Sequence, residues 1–441
     1  MGKVEDAVKE IAEEISQEIQ RELEWLRDSS GRPILATVEE RLQTIDDLFR
    51  RRLLGGASRV LGNGYRGSQI LCECKQWMKY MDDRERTILT ILGPLTLRRS
   101  YYWCEACHAS RVPLDEELGI VGEGQSHGVQ MATALLCALL PNEKAMQVFE
   151  ELHVPHVSEK ESQRVTLAVG QRAMAEYEAE AKRFAEDHVA PSTDVRAHVP
   201  ERLAVLMDGT TVHTDGSSHE AKVGAFYAFD GEGEATGQKT YVTGFRGVED
   251  FRDLWDAEAQ RWHLADVPNL AALCDGAAWT WRTVEDRCPP HTVQILDFYH
   301  GTEHLGDLAK TIWGEGSVKV KPWVEAQETR LLEGREDDFF QELRNWTTEG
   351  HWEAEGKKQL AYFEANRDRI HYKDYLARGY PIGSGVVESA CKVIVGLREK
   401  QPGMRWRTDT AEAIAHLRAV YYSGRWPALR RRLSQPAAKA G

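Results

Sequence analysis

Between Arg202 and His300 the chain carries five short apolar runs in an order that few architectures accommodate. Arg202 to Met207 reads as a strand that stops at Asp208-Gly209. Lys222 to Phe229 and Lys239 to Thr243 are two more, joined by the Gly-rich turn Asp230-Gly231-Glu232-Gly233. Helical period follows from Val248 to Leu264, with Phe251, Leu254, Trp255, Ala259 and Trp262 on one side. Leu270 to Leu273 is a fourth strand, ending at Cys274-Asp275-Gly276, and a short helix then runs to Arg287. Thr292 to Leu296 is a fifth, ending at Asp297-Phe298-Tyr299-His300. The order is β-β-β-α-β-α-β, with an acidic residue at the end of the first, fourth and fifth strands.

This is the element order of the ribonuclease H-like α/β fold. A carboxylate at a strand end, followed at once by Gly, is placed to hold a divalent ion while the backbone leaves room for a bulky ligand. Asp208 and Asp275 share that arrangement. Mg²⁺ takes one or two carboxylates and fills its remaining positions with water and phosphate oxygens. Two such ions about 3.5–4 Å apart activate an attacking oxygen and stabilise a leaving one in phosphodiester displacement. Either Asp alone reads equally well as a turn or cap residue; their joint placement carries the argument. A third acid belongs on a helix packed against the sheet. Gly301 to Tyr380 is mostly helical, with Trp313, Trp323, Trp346 and Trp352 spread through it, and Pro381-Ile382-Gly383-Ser384-Gly385 then opens a helix with Glu388 near its start. Lys392, four residues on, shares the face of Glu388 and is free to pair with it or to meet a phosphate.

Upstream, Val4, Val8, Ile11, Ile15, Ile19, Leu23 and Leu26 mark one face of a long helix that Ser29-Ser30-Gly31-Arg32-Pro33 ends. That helix packs either on its own chain or on a second subunit. Cys72-Glu73-Cys74 and Cys104-Glu105-Ala106-Cys107 flank a β-rich segment, Thr87 to Leu97, in the layout of a zinc ribbon with four thiolates. The first pair is C-x-C where C-x-x-C is commoner, so four free thiols are the alternative. Cys104-x-x-Cys107-His108 also fits the spacing of c-type haem attachment. From Gly128 to His188 the pattern is helical: Glu143 to Leu152, a turn over 153–157, then Ser158-x-x-Glu161 as a capping box opening a helix through Gly170. That is a helix-turn-helix or an ordinary helical hairpin. Ala190-Pro191-Ser192-Thr193-Asp194 has linker composition. The expected domains are thus 1–61 helical, 62–113 ribbon-like, 114–190 helical, 200–300 the first part of the core, 301–380 a helical insertion, and 381–441 the Glu388 helix with a basic tail.

The longest apolar stretch, Met131 to Leu140, is half the ~20 residues that span a bilayer. The N-terminus has no apolar leader core, so we expect a cytoplasmic protein with no membrane partner. The net charge of −14 argues at first sight against nucleic acid. From Cys391 to Gly441, however, 11 Lys plus Arg stand against 3 Asp plus Glu, and Arg398, Lys400, Arg405 and Arg407 interleave with Trp406. These cations, with Lys392, are the expected contacts to a DNA backbone.

Four motifs in order carry a resemblance: Leu206-Met207-Asp208-Gly209-Thr210, Cys274-Asp275-Gly276-Ala277, Asp297-Phe298-Tyr299-His300 and Gly383-Ser384-Gly385-Val386-Val387-Glu388-Ser389. The sequence resembles bacterial insertion-sequence transposases of the D, D, E type, Mutator-like, with an Asp-x-x-His signature; the likeness runs from about Gly62 to Trp426. The resemblance implies that Asp208, Asp275 and Glu388 bind Mg²⁺ or Mn²⁺ in a two-metal site, and that His300 with Asp297 lies beside it and positions the scissile phosphate or a flanking strand. It implies double-stranded DNA partners, the terminal inverted repeats and the target, with hydrolytic nicking followed by attack of the freed 3′-hydroxyl. It also implies a homo-oligomer. A domesticated DNA-binding protein and a ribonuclease H-like nuclease that does not join strands are the alternatives.

Overall fold

A computed structural model describes residues 2–28, 34–120, 124–383 and 385–434. The helix stop at Ser29–Pro33 and Ser384 of the Gly/Ser turn lie outside the described residues. The chain forms two compact units, one reaching to Val169 and taking in the end of the chain from Arg431, the other Gly170–Arg430.

In the first unit, α1 (Gly2–Asp28) pairs with α2 (Leu35–Leu61) through an antiparallel ladder of Glu10–Arg59, Glu14–Arg52 and Glu22–Arg41. Ile11 packs so closely on Gly56 that a Cβ there would stand 2.8 Å from it. The long N-terminal helix therefore packs on its own chain, and part of its acidic face is matched by α2. Val4, Val8, Ile19 and Leu23 stay exposed.

A four-stranded antiparallel sheet follows, in the order β1 (Gln69–Leu71), β2 (Trp77–Thr90), β3 (Gly93–Trp103) and β4 (Ser110–Arg111). Its small core is Cys72, Met78, Tyr102 and Cys104. After it come α3 (Pro113–Glu117), α4 (His127–Leu139), α5 (Asn142–Glu151) and α6 (Glu159–Asp187). Ser158 Oγ accepts the Glu161 N–H at 3.3 Å, which is the expected N-cap. The Glu161 carboxylate turns instead to Arg164 and Gln125. Gly170 does not end this helix, because a Cβ there would meet that of Ala413 at 2.7 Å: the glycine marks a close approach between helices. The division between units accordingly falls within α6, upstream of the Ala190–Asp194 linker.

The second unit is built on a mixed sheet of β5 (Arg202–Thr214), β6 (Ser217–Phe229), β7 (Ala235–Gly244), β8 (Asn269–Cys274) and β9 (Val293–Leu296), in the order β7-β6-β5-β8-β9. The first three are antiparallel and β8 and β9 run parallel to β5. β5 does not stop at Met207. It continues past Asp208 to Thr214 and turns through Asp215-Gly216, both at positive φ (35° and 80°), into β6. Asp-Gly at a two-residue hairpin turn supplies that backbone at low cost.

Helices cover both faces. Phe251 and Trp255 of α7 (Val248–Arg261) lie over Gly224, whereas Val212, Ala221 and Val223 pack with Ala390, Cys391, Ile394, Ala411 and Ala415. α8 (Ala278–Arg287) links β8 to β9. The helical segment is α9 (Phe298–Trp313), α10 (Val320–Leu332), α11 (Glu336–Asn345), α12 (Glu353–Ala365) and α13 (Tyr372–Ala377). Its tryptophans gather: Trp346 lies 5.4, 6.5 and 5.5 Å from Trp313, Trp323 and Trp352, and the Trp323 and Trp346 indoles both donate to Glu342. α14 (Gly385–Ala390) passes into a π-helical stretch, Cys391–Gly396, and α15 (Leu397–Glu399), α16 (Thr408–Tyr422) and α17 (Trp426–Ser434) close the chain. No described helix is long and apolar enough to cross a membrane.

The basic tail is not one solvated edge. Arg425, 8 % exposed, makes two 2.7 Å bonds to the fully buried Glu258, which also meets Arg261 at 3.2 Å and Thr240 at 2.6 Å. Burial opposes ionisation of Glu258, but Arg425 and Arg261 outweigh it and hold its carboxyl down at about 2. Arg425→Ala strands that charge and is expected to cost about 3 kcal/mol in urea unfolding, the low end for a broken buried pair because Arg261 remains. Glu258 titrates near 4.3 when unfolded, so its stabilisation is complete above that pH and is lost as pH falls toward about 2. An acid-unfolding midpoint the same in wild type and Arg425→Ala would contradict this.

Candidate functional site

Strand register brings the two aspartates together. Met207 pairs with Cys274 across the parallel strands β5 and β8, so the next residues, Asp208 and Asp275, stand side by side at a spacing of about 4.8 Å between strands. Asp208 Oδ1 accepts the Gly209 N–H at 2.6 Å, and the Cys391 thiol donates to Oδ2 at 3.3 Å. Burial raises the Asp208 pKa and the neighbouring Asp275 charge raises it further, while the Cys391 and Gly209 bonds and His300 oppose the shift. Asp275 Oδ1 accepts the Ala277 N–H at 2.9 Å, and Gly276 holds a φ of +98°.

Glu388 lies on α14 three residues before Cys391, on the same side of the helix and one turn away. It is exposed, as is Lys392. Asp297, 5 % exposed, caps α9 by accepting the Tyr299 N–H at 2.9 Å, and its own N–H continues the β8–β9 pairing through Cys274 O at 2.9 Å. It thereby sets where His300 emerges, in the first turn of α9, with Nδ1 3.5 Å from Glu303 and the ring 4.9 Å from His304.

Lys400 Nζ donates to Thr210 Oγ1 at 2.5 Å, on the sheet face that carries Asp208. Arg405 and Arg407 are exposed on the rim of a cleft of about 820 Å³ lined also by His213, Asp215 and Trp406. Arg398 does not join them. At 2 % exposure it stacks on Trp406, 4.7 Å from the ring, and is removed from the expected DNA-contacting set. Arg418, 1 % exposed, likewise turns inward, to the Val393 and Ile394 carbonyls of the π stretch.

Two carboxylates on adjacent strands, one partly desolvated and repelled by the other, are a donor set that a hard divalent ion relieves, so Asp208 and Asp275 fit such a group. Glu388 is not drawn in with them. Among the described residues, the cysteines are the group of three or more acidic, His or Cys ligands whose atoms all lie within 4.8 Å.

That group is Cys72, Cys74, Cys104 and Cys107, which can hold a zinc ion. Zn–S bonds of about 2.3 Å in a tetrahedron place sulfurs about 3.8 Å apart. Cys72 and Cys107 are 3.5 Å apart and Cys74 and Cys104 3.6 Å. Each pair sits on a turn completed by a residue at positive φ, Lys75 (65°) and His108 (57°). Backbone N–H groups of Cys107 and Ala106 point at Cys104 and bring its thiol down to about 7. The C-x-C spacing is no obstacle, since Lys75 N–H bonds back to Cys72 O at 2.9 Å and aims both thiols inward. His108 packs on Trp103 instead, which leaves the haem-like spacing without a structural counterpart.

Two residues of the carboxylate site have no local signal in the sequence. Cys391 lies two residues beyond the Gly383–Ser389 motif, with nothing around it to mark a role. Tyr362, whose hydroxyl donates to the Asp275 carbonyl at 2.8 Å, is 87 residues away in the chain.

No protein-family model matches the chain, and a search of curated proteins finds no match either. Among solved structures it is similar to a chain of the Drosophila P element transposase strand transfer complex, at 8% identity over 69% of this chain and 80% of that one. The TM-score is 0.26, a superposition too loose to establish a shared fold.

Proposed function

We propose that the chain is a D, D, E transposase with a ribonuclease H-like core, which cleaves transposon ends and joins them to target DNA. The observation that carries this is the β5–β8 register that sets Asp208 against Asp275, with the Glu388 helix bonded to Asp208 through Cys391. The strand order, three antiparallel then two parallel, and the helical segment between β9 and α14 support the core assignment.

Asp208, Asp275 and Glu388 are the residues to hold Mg²⁺ or Mn²⁺, which when bound supplies charge to the attacking and leaving oxygens of a phosphodiester. The chain's own groups do the positioning. Gly209 N–H and the Cys391 thiol fix the Asp208 carboxylate, and Lys400 offers a cation to the phosphate beside it. Asp297 fixes the α9 terminus that presents His300. Lys392, Arg405 and Arg407 are exposed to meet double-stranded DNA, terminal repeat or target. The bare apolar residues Val4, Val8, Ile19 and Leu23 of α1 support pairing between copies.

The test is incubation with Mn²⁺ or Mg²⁺, a labelled terminal inverted repeat and a supercoiled target. Metal-dependent nicking with joined product is expected. Cleavage without joining points to a nuclease, and binding without cleavage to a domesticated DNA-binding protein.

A further inference from the structure

The helical segment between β9 and α14 is fastened to the strands that carry the site by three tyrosine hydroxyls. Tyr362 donates to Asp275 O at 2.8 Å, Tyr372 to Leu296 O at 3.0 Å and Tyr375 to Gln294 O at 3.3 Å. All three acceptors are backbone carbonyls of β9 or of the residue that follows β8. Tyr362 differs from the other two in where it lands, on the peptide of Asp275 itself.

Its surroundings hold it there. The ring stacks on His304 with centroids 3.9 Å apart and planes inclined by 22°. His304 Nδ1 is 2.7 Å from Gln359 Oε1, and the fully buried Gln359 is bonded in turn to Glu355 at 2.5 Å. His304 also meets His300 edge-on at 4.9 Å. On the other side Tyr362 presses on Gly276: a Cβ there would stand 2.8 Å from the ring and 3.1 Å from the hydroxyl. Gly276 is therefore demanded twice, by its φ of +98° and by the tyrosine above it.

We propose that Tyr362 is a positioning residue that sets the Asp275 carboxylate, so that helix α12 forms part of the active site. Its hydroxyl pins the peptide from which the carboxylate projects, and the His304–Gln359 pair keeps its ring in register. The proposal rests on the reading of Asp208 and Asp275 as ligands of a divalent ion.

The experiment measures Mn²⁺ affinity by electron paramagnetic resonance on the full, zinc-loaded chain, alongside thermal melting. Tyr362→Phe keeps the ring and its stacking and removes one hydrogen bond. Affinity is expected to fall about three- to tenfold, the scale of one such bond, with a fall in melting temperature no larger than that of Tyr372→Phe. Tyr372→Phe, which frees a β9 carbonyl away from the carboxylates, is expected to lower the melting temperature and leave Mn²⁺ affinity alone. Wild-type affinity in Tyr362→Phe, or a change in melting temperature alone, overturns the proposal. An Asp275→Asn variant that binds Mn²⁺ like wild type removes the metal reading itself, and the proposal with it.

Discussion

Asp208→Asn is expected to abolish strand cleavage while end binding persists, and Asp275→Asn and Glu388→Gln to do the same. A metal-held carboxylate acts through charge placed where charge develops in the transition state, a contribution of several kcal/mol, so the expected loss is about 10³-fold or more. The amide keeps the size of the side chain. In Asp208→Asn the single remaining oxygen keeps one of the two bonds, to the Gly209 N–H or to the Cys391 thiol. Removing a partly desolvated charge from beside Asp275 relieves repulsion, so the fold should not suffer. Cleavage of a labelled terminal repeat in Mn²⁺ and a gel-shift on the same DNA separate chemistry from binding. Normal cleavage by any one variant would falsify the role of that residue.

The second large effect is expected at the four thiols. The core at the cysteine end of the ribbon is Cys72, Met78, Tyr102 and Cys104 with Ile70 and Tyr80 beside it, and two of those buried residues belong to the four thiols themselves. That end of the sheet has too little apolar area to hold without a cross-link, whereas at the far end of the β2–β3 hairpin Ile88 and Leu97 pack on Leu114. Structural zinc contributes on the order of 10 kcal/mol in small zinc modules, so removing it should release the end of the sheet that carries the four cysteines. Cys104→Ser, or a strong chelator, is expected to open residues 69–80 and 102–111 to limited proteolysis and to release one equivalent of zinc to a colorimetric dye. Purified protein without zinc, whose ribbon resists protease as well as before, would show that the thiols do not form a structural metal site.

The apolar runs of β5, β8 and β9 are dense enough to read directly, and the aspartates that follow each run come with them, although β5 itself carries on past Asp208. The far half of the β5–β6 hairpin is not legible in the same way. From Thr210 to Glu220 the residues are mostly polar and the period-2 pattern fades, though Asp215-Gly216 marks the turn. The basic tail shows the limit of counting charges. Arg398, Arg418 and Arg425 add to the total as Arg405 and Arg407 do, but an aromatic ring, a set of freed carbonyls and a buried Glu take them out of reach of any ligand. The tryptophans of the helical segment read as dispersed because Glu342, which binds two of them, Trp323 and Trp346, is an ordinary surface-type residue in the sequence. Contacts such as Cys391–Asp208 join positions 183 apart, and no local pattern encodes them.

The π-helical stretch behind Glu388 also bears on how such a protein can change over generations. A π turn holds about one residue more than an α turn, with hydrogen bonds reaching five residues back instead of four. Here Arg418 takes up the Val393 and Ile394 carbonyls of that stretch. Such a helix stores slack: loss of one residue between Cys391 and Gly396 tightens the coil toward α geometry, and the segments on either side keep their places. On the proposed function, the spacing between the acid of Glu388 and the cationic rim is thereby buffered against a one-residue change in the length of the helix that joins them.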